Sequence, residues 1–489
     1  MPTSQTGKKG GRGSAAKERR GRSQQAAKRS KQTRQTKQKE GPDLPPLLAD
    51  HRQFWDGLED QEFFGADLEH LYFYDIVNEE SVQKLRQEIL EAARGKVVSV
   101  TISADGSKQD VRLTPRPIVI HVHSPGGYLL SGNWLYSLFN QVHVPICTVI
   151  DSEAASAATF LTVSSPYRVI TEYGRMLLHD YSGGYSGKRE NMLAEHHALE
   201  RQFQGVKAMY LRCTDYERDE LDQLMRRDVW LDAETCTKKG VCDRIIRPDR
   251  SAAAERKMDR IVRSTNLDPL TAPFMKTNWN VVYSSCDLRI VQQLDELLAH
   301  DETAKPVVFN TPGDLSCYVH SVAFACIPRI QSFSVPVFGI IDNIIDWWDM
   351  LPVLFCHRRY MYDNAQVDFS DLMYVSATMS RLEDIVQNAM LDRSQIVNIL
   401  KRKARPSAEL LDDIFERPVI LSAAECLEMG FVDTIVSTHP YVNNMGHADK
   451  RPLPELPPAS PMQPNARARL PRRPISARRA DARTDERGG

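Results

Sequence analysis

The feature that most constrains this 489-residue chain is an internal repeat. The first copy reads PIVIHVHSPGG at 117–127 and VPICTVIDSEAASAATFL at 144–161; the second reads PVVFNTPGD at 306–314 and VPVFGIIDNIIDWWDML at 335–351. The two Val-Pro pairs, and the aspartates that follow them, share one spacing of 191 residues. Each copy also ends on a similar block, at 230–246 and 420–436. The repeat therefore predicts two structural units of domain size.

Apolar runs alternate with helix-like stretches inside the first unit. We expect strands at Ile118–Val122, Ile146–Ile150, Val169–Ile170 and Met176–Leu178, and helices at Leu129–Val142, Ala154–Val163 and Asn191–Leu211. Strands that alternate with helices are typical of βαβ units, so the sequence predicts an α/β fold.

The net charge of −1 hides an uneven distribution along the chain. Residues 1–40 carry a net charge of +11 and residues 450–489 carry +6, which leaves about −18 between them. Neither tail has enough apolar residues to offset the entropy of ordering. The predicted organisation is a disordered basic tail at 1–45, a first unit at 46–250, a linker at 251–273, a second unit at 274–440 and a disordered Pro/Arg-rich tail at 441–489.

Cysteine usage and hydropathy indicate the cellular compartment. The nine cysteines include no Cys-x-x-Cys pair and lie mostly in apolar stretches, as buried free thiols do in a reducing compartment. No run of about 18 apolar residues predicts a transmembrane helix, and the N-terminus lacks the apolar region of a secretory signal. We therefore expect a cytoplasmic protein with no membrane contact.

Four short motifs place polar groups at the ends of predicted elements in the first unit. They are the SPGG loop at Ser124–Gly127, Ser156 in EAASAA, His179 at the end of RMLLH, and Asp228 in RRDVW. Each motif alone has an ordinary structural explanation, such as a turn, a packed serine, a hydrogen-bonded histidine or a surface aspartate. Together they offer a hydroxyl, a base and an acid to orient that base.

In their order and spacing, the four motifs resemble the ClpP family, the caseinolytic (Clp) serine peptidases, over about residues 70–247. The resemblance implies two tandem units of the ClpP/crotonase-like spiral ββα fold. It also implies a catalytic triad in the first unit, in which Ser156 attacks the peptide carbonyl, His179 transfers its proton and Asp228 holds the imidazole.

The same resemblance implies the remaining parts of the site. The amides of Gly127 and Ala157 would form an oxyanion hole, and an extended peptide would bind along Gly183, Gly184 and Tyr185 by strand addition. This chain has Ala157-Ala158 where the family has Met-Gly, a mild change because only the backbone amide is needed. No metal or cofactor is expected.

The second unit has different residues at the corresponding positions. The spacing of 191 residues aligns Ser156 with Trp347 and His179 with Ser370. The spacing of the terminal blocks aligns Asp228 with Pro418, and Gly127 of the first glycine-containing motif falls on Asp314 of the second. The sequence therefore predicts an inactive ClpP-like unit with a structural or regulatory role. An alternative is a new site formed by Asp346, Asp349 and Asp371.

The predicted function is a serine endopeptidase that acts on peptides or unfolded proteins. The first alternative is a non-hydrolytic scaffold or assembly protein on the same fold. Two others are a crotonase-type acyl-CoA enzyme and the signal-peptide peptidase family, whose Ser–Lys dyad and membrane anchor are not evident here.

The resemblance also implies a homo-oligomer and a possible AAA+ unfoldase partner, although no gating loops are recognisable in residues 1–60. The basic tails have two interpretations, non-specific binding of nucleic acid and a solubilising extension.

Overall fold

A computed structural model describes residues 46–95, 97–101, 108–135, 138–181, 188–248, 252–264, 280–283, 288–299, 307–311, 322–373 and 382–436. The predicted tails at 1–45 and 441–489 lie outside these ranges. We call residues 46–248 the first half and residues 280–436 the second half.

The helices of the described chain are numbered in order. They are α1 Pro46–Asp56, α2 Glu79–Arg94, α3 Leu129–Leu135, α4 Ala158–Ser164, α5 Arg189–Cys213, α6 Arg218–Met225, α7 Ala233–Lys238, α8 Ala252–Ser264, α9 Leu288–Ala299, α10 Val322–Ser332, α11 Trp347–Val353, α12 Leu382–Lys403, α13 Ala408–Asp413 and α14 Ala423–Glu428. Short 3₁₀ turns occupy Asp60–Phe64, Leu138–Gln141 and Ser370–Met373.

The strands are numbered in the same way. They are β1 Glu69–Phe73, β2 Val97–Thr101, β3 Lys108–Arg112, β4 Ile118–Ser124, β5 Ile146–Ala155, β6 Arg168–Thr171, β7 Arg175–Leu177, β8 Leu231–Asp232, β9 Arg244–Ile246, β10 Asn280–Tyr283, β11 Val307–Thr311, β12 Val337–Ile341, β13 Ile344–Asp346, β14 Arg358–Tyr362, β15 Gln366–Asp368, β16 Ile420–Ser422 and β17 Thr434–Val436.

The first half is built on a parallel sheet in the order β1-β4-β5-β6-β9. Strand β5 continues past this sheet, and its last three residues pair in parallel with β7, which pairs antiparallel with β8. Strands β2 and β3 form a separate antiparallel pair. The parallel sheet and its helices confirm the predicted α/β class.

The second half repeats this strand order. Its parallel sheet runs β10-β11-β12-β14-β17, and β13 pairs in parallel with β15, which pairs antiparallel with β16. The register also matches, because Arg175 pairs with Asp232 in the first half and Gln366 pairs with Ser422 in the second. The register of the small sheets thus places Trp347 and Ser370 where the first half has Ser156 and His179.

Both faces of the first sheet are covered, which explains its near-continuous apolar strands. On one face, Ile118, Ile120 and Val122 pack with α2 to α5. On the other face, Val119 and Val149 belong to a core that also contains the buried side chains of α9, α10 and α11 from the second half. The two halves therefore share a hydrophobic core.

A buried charged cluster lies where the halves meet. Arg329 on α10 is fully buried, and its guanidinium contacts Asp151 at 3.1 Å, Asp295 at 2.9 Å and His121 at 3.1 Å. Burial alone would raise the pKa of the Asp151 carboxyl, but Arg329 and then His121 outweigh it and hold that pKa well below its usual range. The cluster fixes β5, the strand that leads to Ser156.

Three predicted elements differ from the structure. The predicted helix at Ala154–Val163 begins only at Ala158, because the backbone of Ala154 and Ala155 pairs with β7 and keeps β5 extended. Within the predicted helix at Leu129–Val142, the described residues form α3 and the 3₁₀ turn at Leu138–Gln141. Tertiary pairing overrides helix propensity in the first case. The predicted linker contains α8, which the sequence analysis did not predict.

Two other expectations concern cysteines and hydropathy. The cysteines within the described ranges are free, and all of them except the half-buried Cys213 are buried. Among the described residues, every helix is too short or too polar to cross a membrane.

Candidate active site

Ser156 lies on a sharp turn between β5 and α4. Its φ of +52° makes it the one non-glycine residue with positive φ in the described part of the chain. The turn is held because the Ser156 amide donates to the Leu177 carbonyl at 2.8 Å, while the Ser156 carbonyl accepts from the Thr159 amide at 3.0 Å. A left-handed serine costs on the order of 1–3 kcal/mol. The turn leaves the side chain half-exposed at the end of a buried strand.

His179 and Asp228 are brought together next to this turn. The pairing of β7 with the end of β5 places His179 two residues after the carbonyl that binds the Ser156 amide. His179 Nδ1 lies 3.0 Å from Asp228 Oδ1. The Asp180 amide also donates to the Met225 carbonyl at 2.7 Å, which joins the two segments. With Nδ1 bound to a carboxylate, Nε2 is left to accept a proton.

The SPGG loop lies directly against the Ser156 turn. Gly126 has a φ of +93°, and a Cβ there would lie 2.6 Å from the Ala155 carbonyl oxygen and 2.7 Å from Ser156 Cβ. Only glycine fits such a close approach. The loop is fixed from the other side, where the Gly126 carbonyl accepts from the Val77 amide and the Tyr128 amide donates to the Val77 carbonyl, both at 2.8 Å.

The two predicted oxyanion-hole amides belong to Gly127 and Ala157, the residues that directly follow Gly126 and Ser156. Gly127 pairs with Val77 in an isolated parallel β-bridge. The hydrogen bonds of this bridge use the carbonyl of Gly126 and the amide of Tyr128, and not the amide of Gly127. Ala157 follows Ser156 and stands immediately before the first turn of α4. The predicted substrate-binding residues Gly183, Gly184 and Tyr185 lie outside the described residues.

The second-half counterpart of Ser156 belongs to the core, whereas Ser370 is half-buried and Pro418 is exposed. Trp347 is fully buried, and its ring stacks on Phe369 with centroids 5.5 Å apart. The Asp346 carboxylate caps α11 by accepting from the Asp349 amide at 2.8 Å. The Ser370 amide donates to the side chain of its neighbour Asp368.

The side chains of Asp314 and Asp371 lie outside the description. Within the described ranges, no group of three or more His, Cys, Asp or Glu side chains is arranged to hold a metal ion.

The sequence analysis missed two residues that touch Asp228 from the second half. Asp384 and Asn388 on α12 bond to the backbone around Asp228. The signal in the sequence is that Asp384 and Asn388 lie one helical turn apart in an amphipathic stretch, where two polar side chains share one face. A single sequence contains nothing that shows which partner they face.

Comparison with known protein families gives a match within the first half. Residues 72–249 match the family model described as Clp protease. The match confirms the resemblance over this stretch and suggests a hydrolase, and it ends before the second half begins. The chain is also similar to the solved structure of a ClpP1 point mutant from Listeria monocytogenes, with 17% identity and a TM-score of 0.29, over 37% of this chain and 91% of that chain.

Proposed function

We propose that the first half is a ClpP-type serine endopeptidase that hydrolyses peptide bonds of peptides or unfolded proteins. The observation that supports it most is the 3.0 Å contact between His179 and Asp228 beside the left-handed Ser156 turn. This arrangement resembles other strand-to-helix nucleophile turns, where the tight backbone exposes the hydroxyl.

The proposed reaction has two stages. Ser156 Oγ attacks the peptide carbonyl while His179 Nε2 takes the hydroxyl proton, and the amides of Gly127 and Ala157 stabilise the negative oxygen that forms. Collapse breaks the C–N bond, and His179 gives its proton to the leaving amine. Water then attacks the acyl-serine with His179 again as base, which releases the acid and restores the hydroxyl. Asp228 orients the imidazole throughout.

We further propose that the second half is a ClpP-like unit without activity. Its matching strand order supports this proposal, and so does the burial of Trp347 at the position of the nucleophile. The register of the two small sheets aligns that position independently of the repeat spacing in the sequence. One chain would then carry one active site.

The assembly and partners belong to the same proposal. ClpP relatives normally form oligomers with unfoldases, so we propose a homo-oligomer that receives unfolded chains from an AAA+ partner. Substrate would add as an extended strand along Gly183–Tyr185.

Covalent labelling of folded protein with a fluorophosphonate tests the proposed function. The wild type and Ser164→Ala, a control on α4, should both be labelled at Ser156. Ser156→Ala should lose the label, and peptide hydrolysis should fall by about 10³-fold or more. No labelled peptide should contain Ser370. A folded wild type that resists labelling and cleaves no peptide would favour the scaffold alternative.

A further inference from the structure

One face of α12, a helix of the second half, is turned toward the predicted triad. Asp384, Asn388 and Asp392 are spaced four residues apart and so lie along one side of the helix. Each of the three side chains bonds to a residue of the first half. Asp384 is fully buried and Asn388 is 7% exposed, so the contacts of these two residues are shielded from water.

Asp384 binds the chain at Asp228 and at the residue before it. One carboxylate oxygen accepts from the Asp228 amide at 3.0 Å, and the other accepts from Arg227 Nε at 2.8 Å. Hydrogen bonds to a buried carboxylate are charge-assisted and stronger than neutral ones. The N-terminal side of Asp228 is thereby fixed.

Asn388 binds the other side of the same residue. Its Nδ2 donates to the Asp228 carbonyl at 2.8 Å, and its Oδ1 accepts from the Trp230 amide at 2.9 Å. Both backbone polar groups of Asp228 are therefore bound by two side chains of one helix. A rotation of this backbone would require breaking bonds at both groups.

Asp392 extends the contact to the other two triad segments. It binds Arg175 at 2.9 Å, and Arg175 also binds Glu153 at 3.2 Å and lies 4.4 Å from the centre of the Trp230 ring. Glu153 precedes Ser156 by three residues, and Arg175 precedes His179 by four. One face of α12 is thus connected to all three segments that carry the triad.

We propose that α12 of the second half positions the triad of the first, with Asp384 and Asn388 as positioning residues that hold Asp228 toward His179. This inference rests on the proposed function. It gives the second half a role in the reaction without a catalytic group of its own. A displacement of about 1 Å in a catalytic group can lower a rate by about 10²-fold, so loss of either side chain should be visible in the reaction rate.

The test measures the rate of fluorophosphonate labelling of Ser156 in the full chain. Asn388→Ala and Asp384→Ala should label about 10- to 100-fold more slowly than the wild type. Asp384→Asn should recover part of the rate, since it keeps an acceptor for the Asp228 amide. Gln387→Ala is the matched control, because Gln387 lies on the same helix and binds the Arg227 side chain, at 3.0 Å, rather than the backbone of Asp228. It should label like the wild type.

A double-mutant cycle separates positioning from general stability. In an Asp228→Ala background, Asn388→Ala should cause no further loss of labelling rate, because the group it positions is gone. A further loss of the same size in that background would show that Asn388 acts on stability alone and would overturn the inference. An Asn388→Ala protein that labels at the wild-type rate would overturn it as well, while the proposed function would stand.

Amide hydrogen exchange provides a readout that needs no activity. The amides of Asp228 and Trp230 should exchange faster in Asp384→Ala and Asn388→Ala, respectively, and unchanged exchange would contradict the positioning contacts. If the wild type itself is not labelled, the proposed function fails. Faster exchange in the variants would then still support α12 as the element that holds this loop.

Discussion

The two halves of the chain share a strand order but use the same turn differently. In the first half, the turn after β5 carries a half-exposed Ser156 at positive φ, with Gly126 packed against it. In the second half, the corresponding turn after β13 begins α11 with a buried Trp347 and an aspartate cap. The first turn accepts backbone strain and solvent access, whereas the second is stabilised by packing. One scaffold can therefore hold a half-exposed polar side chain or a core residue at the same position.

The second half contacts the first at several places. It contributes α9 to α11 to the shared core, Arg329 to the buried charged cluster, and the polar face of α12 to the loop at Asp228. Three predictions test this comparison of the two halves, in order of decreasing expected effect.

The largest effect is expected from Arg329→Met. The substitution leaves the buried carboxylates of Asp151 and Asp295 without their cation, so the free energy of unfolding should fall by about 3–5 kcal/mol in urea denaturation. Arg402→Met is the control, because Arg402 binds Glu172 across the same boundary at 3.0 Å but in partly exposed surroundings. Its cost should be about 1 kcal/mol or less. Equal costs for the two variants would contradict the role of the buried cluster.

An intermediate effect is expected from Gly126→Ala. The added Cβ would meet Ala155 and Ser156 at less than van der Waals distance and would be strained at a φ of +93°. We expect a loss of about 1–3 kcal/mol in stability and at least about 10-fold slower labelling of Ser156. Gly205→Ala, on α5 with open space around it, should instead stabilise by up to about 1 kcal/mol. Normal labelling of Gly126→Ala would show that the SPGG loop does not shape the site.

The smallest effect concerns pH and belongs to the first half. Burial lowers the pKa of His70, assisted by His121 and Arg329, and burial lowers the pKa of His123, assisted by Arg175. Below about pH 6.5, the ordinary pKa of histidine, the unfolded chain therefore binds more protons than the folded protein does. Stability from these histidines is therefore complete above about pH 6.5 and declines as the pH falls toward the folded-state values.

Thermal denaturation at a series of pH values checks this prediction. The midpoint of the wild type should fall between about pH 7 and about pH 5, and the fall should be smaller for a His70→Asn/His123→Asn variant. Glu153 and Asp151 oppose the shift of His123, so the slope should be modest. A variant with the same slope as the wild type would show that other groups control the pH dependence.

The sequence predicted the class of fold and the residues of the candidate site because both depend on local patterns. Buried β-branched runs such as 118–122 predict strands wherever they occur, and the ordered motifs around Ser156, His179 and Asp228 are visible without any contact map. The repeat even aligned Trp347 with Ser156, and the register of the small sheets agrees with that alignment. Periodicity and spacing are properties of the chain itself.

Tertiary structure alone determined the partners of those residues. Nothing in the sequence shows that Ala154 and Ala155 stay extended, because their strand pairing depends on β7, a separate segment further along the chain. Nor does it show that Asp384 and Asn388 bind Asp228, which lies in the other half of the chain. Long-range hydrogen bonds leave no local period, and the low helix or strand preference of a short segment is overridden by packing. The sequence thus determined which groups the protein has, and folding determined which of them meet.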